Sequence, residues 1–122
     1  MLVGVGPRDE AVTAVRAGDR IAQLRIFEDH QGKTNLSLEE IGGAALVVSQ
    51  FTLFADISRG RRPGFTGAAP PEHAEKIYEE LIAALRRRGL PVAAGSFGAA
   101  MDVELVNHGP FTLVIDTDNL AR

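Results

Sequence analysis

The chain has 122 residues, 45% of them hydrophobic, and a formal net charge of −3, which suffices for one domain with one core. It contains no cysteine, which excludes disulfides, thiolate nucleophiles and cysteine-held metals, and its histidines, His30, His73 and His108, lack metal-ligand spacing. No apolar run is long enough to span a bilayer and no basic stretch precedes an apolar one at the N-terminus, so a cytoplasmic protein without a membrane partner is expected.

Residues 1–5 are apolar and end at Gly6-Pro7, which predicts a strand and a turn. Asp9 then reads as the N-cap of a helix carrying Val12, Val15, Ile21 and Leu24, with Gly18 a weak point in its middle. Residues 24–27 predict another strand, and the polar tract 28–35 a loop. After Gly42-Gly43, residues 44–53 form a nearly unbroken run of small and β-branched apolar residues, the pattern of a buried central strand. Residues 56–71, rich in Gly, Pro, Ser and Arg, predict a loop long enough to carry function.

The clearest element is a helix over 71–88, in which Ala74, Ile77, Tyr78, Leu81, Ile82 and Leu85 fall on one face. Glutamates lie toward its start and Arg86, Arg87 and Arg88 close it, so the arginines read as a solvated, dipole-matched end stopped by Gly89 and Pro91. Residues 92–94, 102–107 and 111–116 predict further strands, the last two by alternation, with a hairpin at Gly109-Pro110. Strand-helix units followed by closing strands predict an α/β domain.

The familiar catalytic patterns are missing: there is no Gly-x-Ser-x-Gly elbow, phosphate-binding glycine loop or His-Glu-x-x-His. Ser49, Thr52 and Thr112 are candidate hydroxyls, although threonine in a strand is usually there for β-propensity. His108 has the right intrinsic pKa for a general base, against the plainer reading of a turn residue. Gly109-Pro110 is unusual for a tight hairpin: glycine admits close approach to the backbone, and proline permits a cis bond, with trans the ordinary expectation.

Two segments, Ser49-Gln50-Phe51-Thr52-Leu53 and Asn107-x-Gly109-Pro110-x-Thr112, resemble the signature motifs of the D-aminoacyl-tRNA deacylase family. Further matches follow in family order: Arg25-Ile26-Phe27, Gly32-Lys33 with Asn35-Leu36, Arg59-Gly60 with Arg62-Pro63 and Phe65, and Phe97-Gly98-Ala99 with Met101. The resemblance implies a three-layer α/β fold in one domain over residues 1–122, and no cofactor or metal. It implies hydrolysis of the ester joining a D-amino acid, or mischarged glycine, to the terminal ribose of tRNA, with rejection of L-aminoacyl-tRNA. It also implies a homodimer in which a cis Gly109-Pro110 reaches the partner's pocket as chiral selector.

By position, the resemblance implies that Gln50, Phe51 and Thr52 are the catalytic positions, with Ser49 beside them, and that Phe97 and Met101 hold the terminal adenosine. Backbone N–H groups near Phe51 and Thr52 would stabilise the oxyanion. Either Thr52 or the RNA's own 2′-hydroxyl then drives the reaction; the hydroxyl accounts better for the missing base. His108 falls on a variable position of the motif and receives no role. In the loop, Arg59, Arg61 and Arg62 are placed to meet tRNA phosphates, Arg62 being the one that matches the family pattern. Contact with the acceptor end alone would reconcile RNA binding with an acidic chain. Family members usually begin with a further strand pair, whereas this sequence opens directly in the strand at 1–5, which predicts an exposed sheet edge. The alternative is a catalytically impaired relative that binds the acceptor end without cleaving it.

Overall fold

A computed structural model describes residues 1–121. Three strands, β1 (Leu2–Val3), β4 (Ala45–Ser49) and β5 (Val92–Ala94), form a parallel sheet in the order β1-β4-β5. Helix α1 (Ala11–Gln23) and a hairpin of β2 (Arg25–Glu28) and β3 (Thr34–Ser37) lie between β1 and β4 in sequence, and helix α2 (Pro71–Arg87) connects β4 to β5. The α/β expectation is met, since parallel neighbours need crossovers of this kind.

Alternation along β4 decides which face is the core. Ala45 and Val47 point at the helices and are buried, whereas Leu46 on the other face is 42% exposed. Helix α2 supplies the largest share of the core, burying Ala74, Ile77, Tyr78, Leu81, Ile82, Ala84 and Leu85. Each of its buried leucines and isoleucines is worth about 1.5–3 kcal/mol relative to exposure. Pro71 opens the helix where a missing N–H costs nothing, and Gly89, at φ +82°, takes the left-handed step that closes it.

Of the apolar residues expected to carry helix α1, Ile21 packs against the core, but the buried positions are smaller ones. Val12 is exposed, and the buried residues are Ala14, Ala17, Gly18 and Ala22. The reason is the closeness of α2: a Cβ added to Gly18 would lie 2.9 Å from the Ala84 Cβ, so only small residues fit the crossing. Its N-cap is Glu10, whose N–H donates to Thr13 Oγ1 (3.2 Å), and not Asp9, whose carboxylate instead accepts the Gly6 N–H at 2.7 Å.

Other boundaries move for identifiable reasons. The loop expected over 28–35 shrinks to a turn, because Asp29 accepts the Gln31 and Lys33 N–H groups (2.9 and 3.0 Å) and so lets Thr34 pair with Glu28. Those donors, Lys33 above all, hold the Asp29 carboxyl below its ordinary value. The arginines that close α2 are not simply solvated: Arg86 Nη2 donates to the Val92 carbonyl at 3.1 Å, and Arg88 pairs with Glu39 and, at 3.4 Å, with Asp19.

Residues 102–107 and 111–116 carry no strand ladder, contrary to the alternation, and Val106 and Val114 are almost fully exposed. Alternation defines a face, but a strand also needs a neighbour for its backbone groups, and none is present among the described residues.

Candidate active site

The expected strand over 44–53 ends early. The Gln50 N–H reaches the Val3 carbonyl at 2.8 Å, which uses up the end of the β1 ladder, and Phe51–Phe54 coil into a single 3-10 turn. Phe54 anchors that turn: a Cβ on Gly4 would sit 2.9 Å from its ring, so Gly4 is the space the ring occupies. With Phe54 held inward, Phe51, Thr52 and Leu53 are turned outward and exposed. The Phe51 ring meets Phe65 edge to face, centroids 5.2 Å apart, which ties the turn to the long loop. The N–H groups of Phe51 and Thr52 head the turn, and no backbone acceptor meets them among the described residues.

Beside it, β5 ends at Ala94 and the Gly95 N–H donates to the Val47 carbonyl at 3.1 Å. Phe97 follows, half-buried against Tyr78 with centroids 5.9 Å apart. Met101 folds back over Gly95, where an added Cβ would lie 2.9 Å from its sulfur and 3.6 Å from the Val48 side chain. Ser49, Gln50, Phe51, Thr52, Phe97 and Met101 therefore leave two adjacent parallel strands at the same end. The carboxyl ends of parallel strands are where open α/β sheets ordinarily place ligands.

Gly109 and Pro110 are not part of this grouping within one chain. Their peptide bond is cis, and the turn is held by Gly109 N–H to the Asn107 carbonyl (2.9 Å) and Asn107 Nδ2 to Thr112 Oγ1 (3.2 Å). Both residues are exposed, and a Cβ built on Gly109 would touch nothing within 4 Å. Arg59 and Arg62 are exposed in the loop whose base is pinned by reciprocal Asp56–Gly64 backbone bonds of 2.7 and 2.9 Å. At that base, Ser58 donates to Asp56 and holds its carboxyl below the usual range.

Chemically, the site offers hydroxyls, an amide side chain, free N–H groups and apolar rings, with no acid or imidazole on the 3-10 turn itself. His73 is engaged elsewhere, its Nε2 lying 2.6 Å from the Asp9 carbonyl, and His108 sits in the exposed segment. A depression on α2 lined by Glu79, Ile82, Ala83 and Arg86 lies away from all of these residues.

One supporting residue escapes sequence reasoning. Tyr78 reads there as one apolar position among six, yet its buried hydroxyl donates to the Val47 carbonyl at 2.8 Å and lies 3.4 Å from the Gly95 carbonyl. Burial pushes its pKa up, so it stays a donor. The signal was its uniqueness: it is the single tyrosine of the chain, and buried hydroxyls need partners.

Fold and residues together define a small α/β protein with a parallel sheet and a candidate ligand site at its strand ends. The model of a family described as D-Tyr-tRNA(Tyr) deacylase matches residues 1–116, and the chain belongs to that family. It is 56% identical over 116 residues to the D-aminoacyl-tRNA deacylase of Deinococcus radiodurans, covering 95% of this chain and 80% of that protein. The D-aminoacyl-tRNA deacylase of Chloroflexus aurantiacus is 58% identical over 120 residues, which covers 98% of this chain and 75% of the relative. Among solved structures, one titled c-Myc DNA unwinding element binding protein superposes with a TM-score of 0.72 at 35% identity, covering 83% of this chain and 69% of that one. A probable eukaryotic D-amino acid tRNA deacylase gives a TM-score of 0.74 at 19% identity over 89% of this chain and 79% of that one, a likeness of fold.

Proposed function

We propose that this chain hydrolyses the ester of D-aminoacyl-tRNA, releasing the free D-amino acid and tRNA, that it also clears glycine, and that it spares L-aminoacyl-tRNA. The observation that carries this reading is the family match over residues 1–116, joined to a matching motif that surrounds the strand ends. Water supplies the oxygen that bonds to the ester carbonyl carbon; the carbon–oxygen bond to ribose breaks and the ribose oxygen takes a proton. The exposed N–H groups of Phe51 and Thr52 suit the developing oxyanion. Since the 3-10 turn bears no acid or imidazole, the RNA's 2′-hydroxyl is the favoured participant and Thr52 an accessory one.

Ser49 and Gln50 line the aminoacyl side, with Phe97 and Met101 taking the terminal adenosine. Gly109-Pro110 acts as selector in the pocket of a second copy. The isolation of that turn within one chain supports a cross-subunit role, as do the apolar residues around it, Leu105 at 67% exposed and Val114 at 99%. A fixed backbone wall would exclude a side chain on one side of Cα and admit hydrogen there, which passes D-amino acids and glycine alike. The whole works as one cytoplasmic domain.

Incubation with D-Tyr-tRNA and L-Tyr-tRNA tests the reading: selective release of D-tyrosine is expected. Binding of tRNA with no release above the buffer rate would leave a non-cleaving acceptor-end binder instead. Gly109→Ala is expected to lower D-substrate turnover; full activity with full L-rejection would remove the selector role.

A further inference from the structure

Loop residues 57–71 contain Arg59, Arg61 and Arg62 and no acidic residue, in a chain whose net charge is −3. The three arginines are exposed, and none forms an ion pair among the described residues. Solvated cations on a mobile loop would be unremarked, but this loop is built. Its base is closed by the Asp56–Gly64 bridge, Asp56 caps Ser58, and Gly60 turns the tip at φ +66°. Immediately beyond the bridge, Phe65 supports the exposed ring of Phe51 edge-on. Clustered cations beside an exposed, braced aromatic face are the two components that single-stranded nucleic acid binding uses, phosphate neutralisation and base stacking. Duplex RNA offers no unstacked base for such a face.

We propose that residues 57–65, with the Phe51 ring, form a clamp for the single-stranded 3′ end of the RNA, Arg59, Arg61 and Arg62 holding its phosphates and Phe51 stacking a base. The proposal rests on the deacylase reading for the identity of the RNA. Reach limits it to nucleotides next to the pocket: each arginine is two to five residues from one side of the bridge, so no more than about 18 Å of extended chain separates them.

The test is binding of uncharged tRNA to the full chain across about 50 to 200 mM salt. Replacing all three arginines by glutamine is expected to flatten the plot of log affinity against log salt by about 2, three phosphates at about 0.7 each. The matching Arg→Lys triple variant, which keeps the charge, is expected to keep the slope, and R61Q alone to lose about a third of the effect. Phe65→Leu is expected to weaken binding about tenfold with the slope unchanged. A tRNA trimmed of its single-stranded 3′ nucleotides is expected to show no difference between wild type and the glutamine variant. An unchanged slope in the glutamine variant, or an arginine-dependent slope that survives trimming, overturns the clamp. Failure of the wild type to release D-tyrosine from D-Tyr-tRNA strikes the deacylase reading alone, because uncharged tRNA reports the clamp without it.

Discussion

Val47 and Val114 are the same residue type in stretches of similar apolarity, yet Val47 is fully buried and Val114 is 99% exposed. Val47 lies in a strand with neighbours on both sides and α2 across its face; residues 111–116 have neither among the described residues. Burial is thus a property of the neighbourhood, which alternation along 102–116 does not by itself supply. The motif residues divide along the same line, with Ser49 to Thr52 rooted in the packed half and Gly109-Pro110 carried by the exposed one.

Substitutions in the two halves can sharpen or break this contrast. Leu85→Ala, at a side chain with no exposure, is expected to cost about 2–5 kcal/mol in urea unfolding. Val114→Ala, at concentrations where the chain is monomeric, is expected to change stability by less than about 0.5 kcal/mol. Comparable costs at both positions would show that 111–116 packs in the single chain. Gly18→Val, set against Ala84, is expected to destabilise by about 1–3 kcal/mol through forced separation of α1 and α2, read as a lower urea midpoint. Tyr78→Phe removes the hydroxyl donor to Val47 and is expected to cost about 1 kcal/mol, read as a lower urea midpoint.

The smallest effect belongs to the hairpin turn. The Asp29 carboxyl is held below its ordinary value, so its contribution is complete above the unfolded carboxylate value of about 4 and fades as pH falls through the lower folded one. The stability gap between wild type and Asp29→Asn should therefore narrow on acidification; a gap that widened would reverse the assignment.

Helix α2 was fully legible because its apolar spacing, its proline start and its glycine stop all agree. Helix α1 was legible in extent and through Ile21, which packs against the core, but not at its crossing, where Gly18 selects alanines while Val12 stays exposed. The strand over 44–53 was read too long because apolarity does not register where β1 runs out, and that end is where the candidate site begins. Of the candidate site, the grouping of Ser49 to Thr52 with Phe97 and Met101 was suggested only through resemblance, because nothing local in the sequence says that β4 and β5 end side by side. For Tyr78 the sequence marks a lone hydroxyl on a buried face but not its partners, which are tertiary neighbours 31 and 17 positions away.

That hydroxyl gives the molecule a built-in optical gauge. The chain has one tyrosine and no tryptophan, so its tyrosine emission comes from a single ring lodged beneath the ends of β4 and β5, in contact with Phe97 and hydrogen-bonded to β4. Any event that displaces the two strand ends, whether occupancy of the candidate site or pairing with a second chain, would alter that one emitter with no label attached.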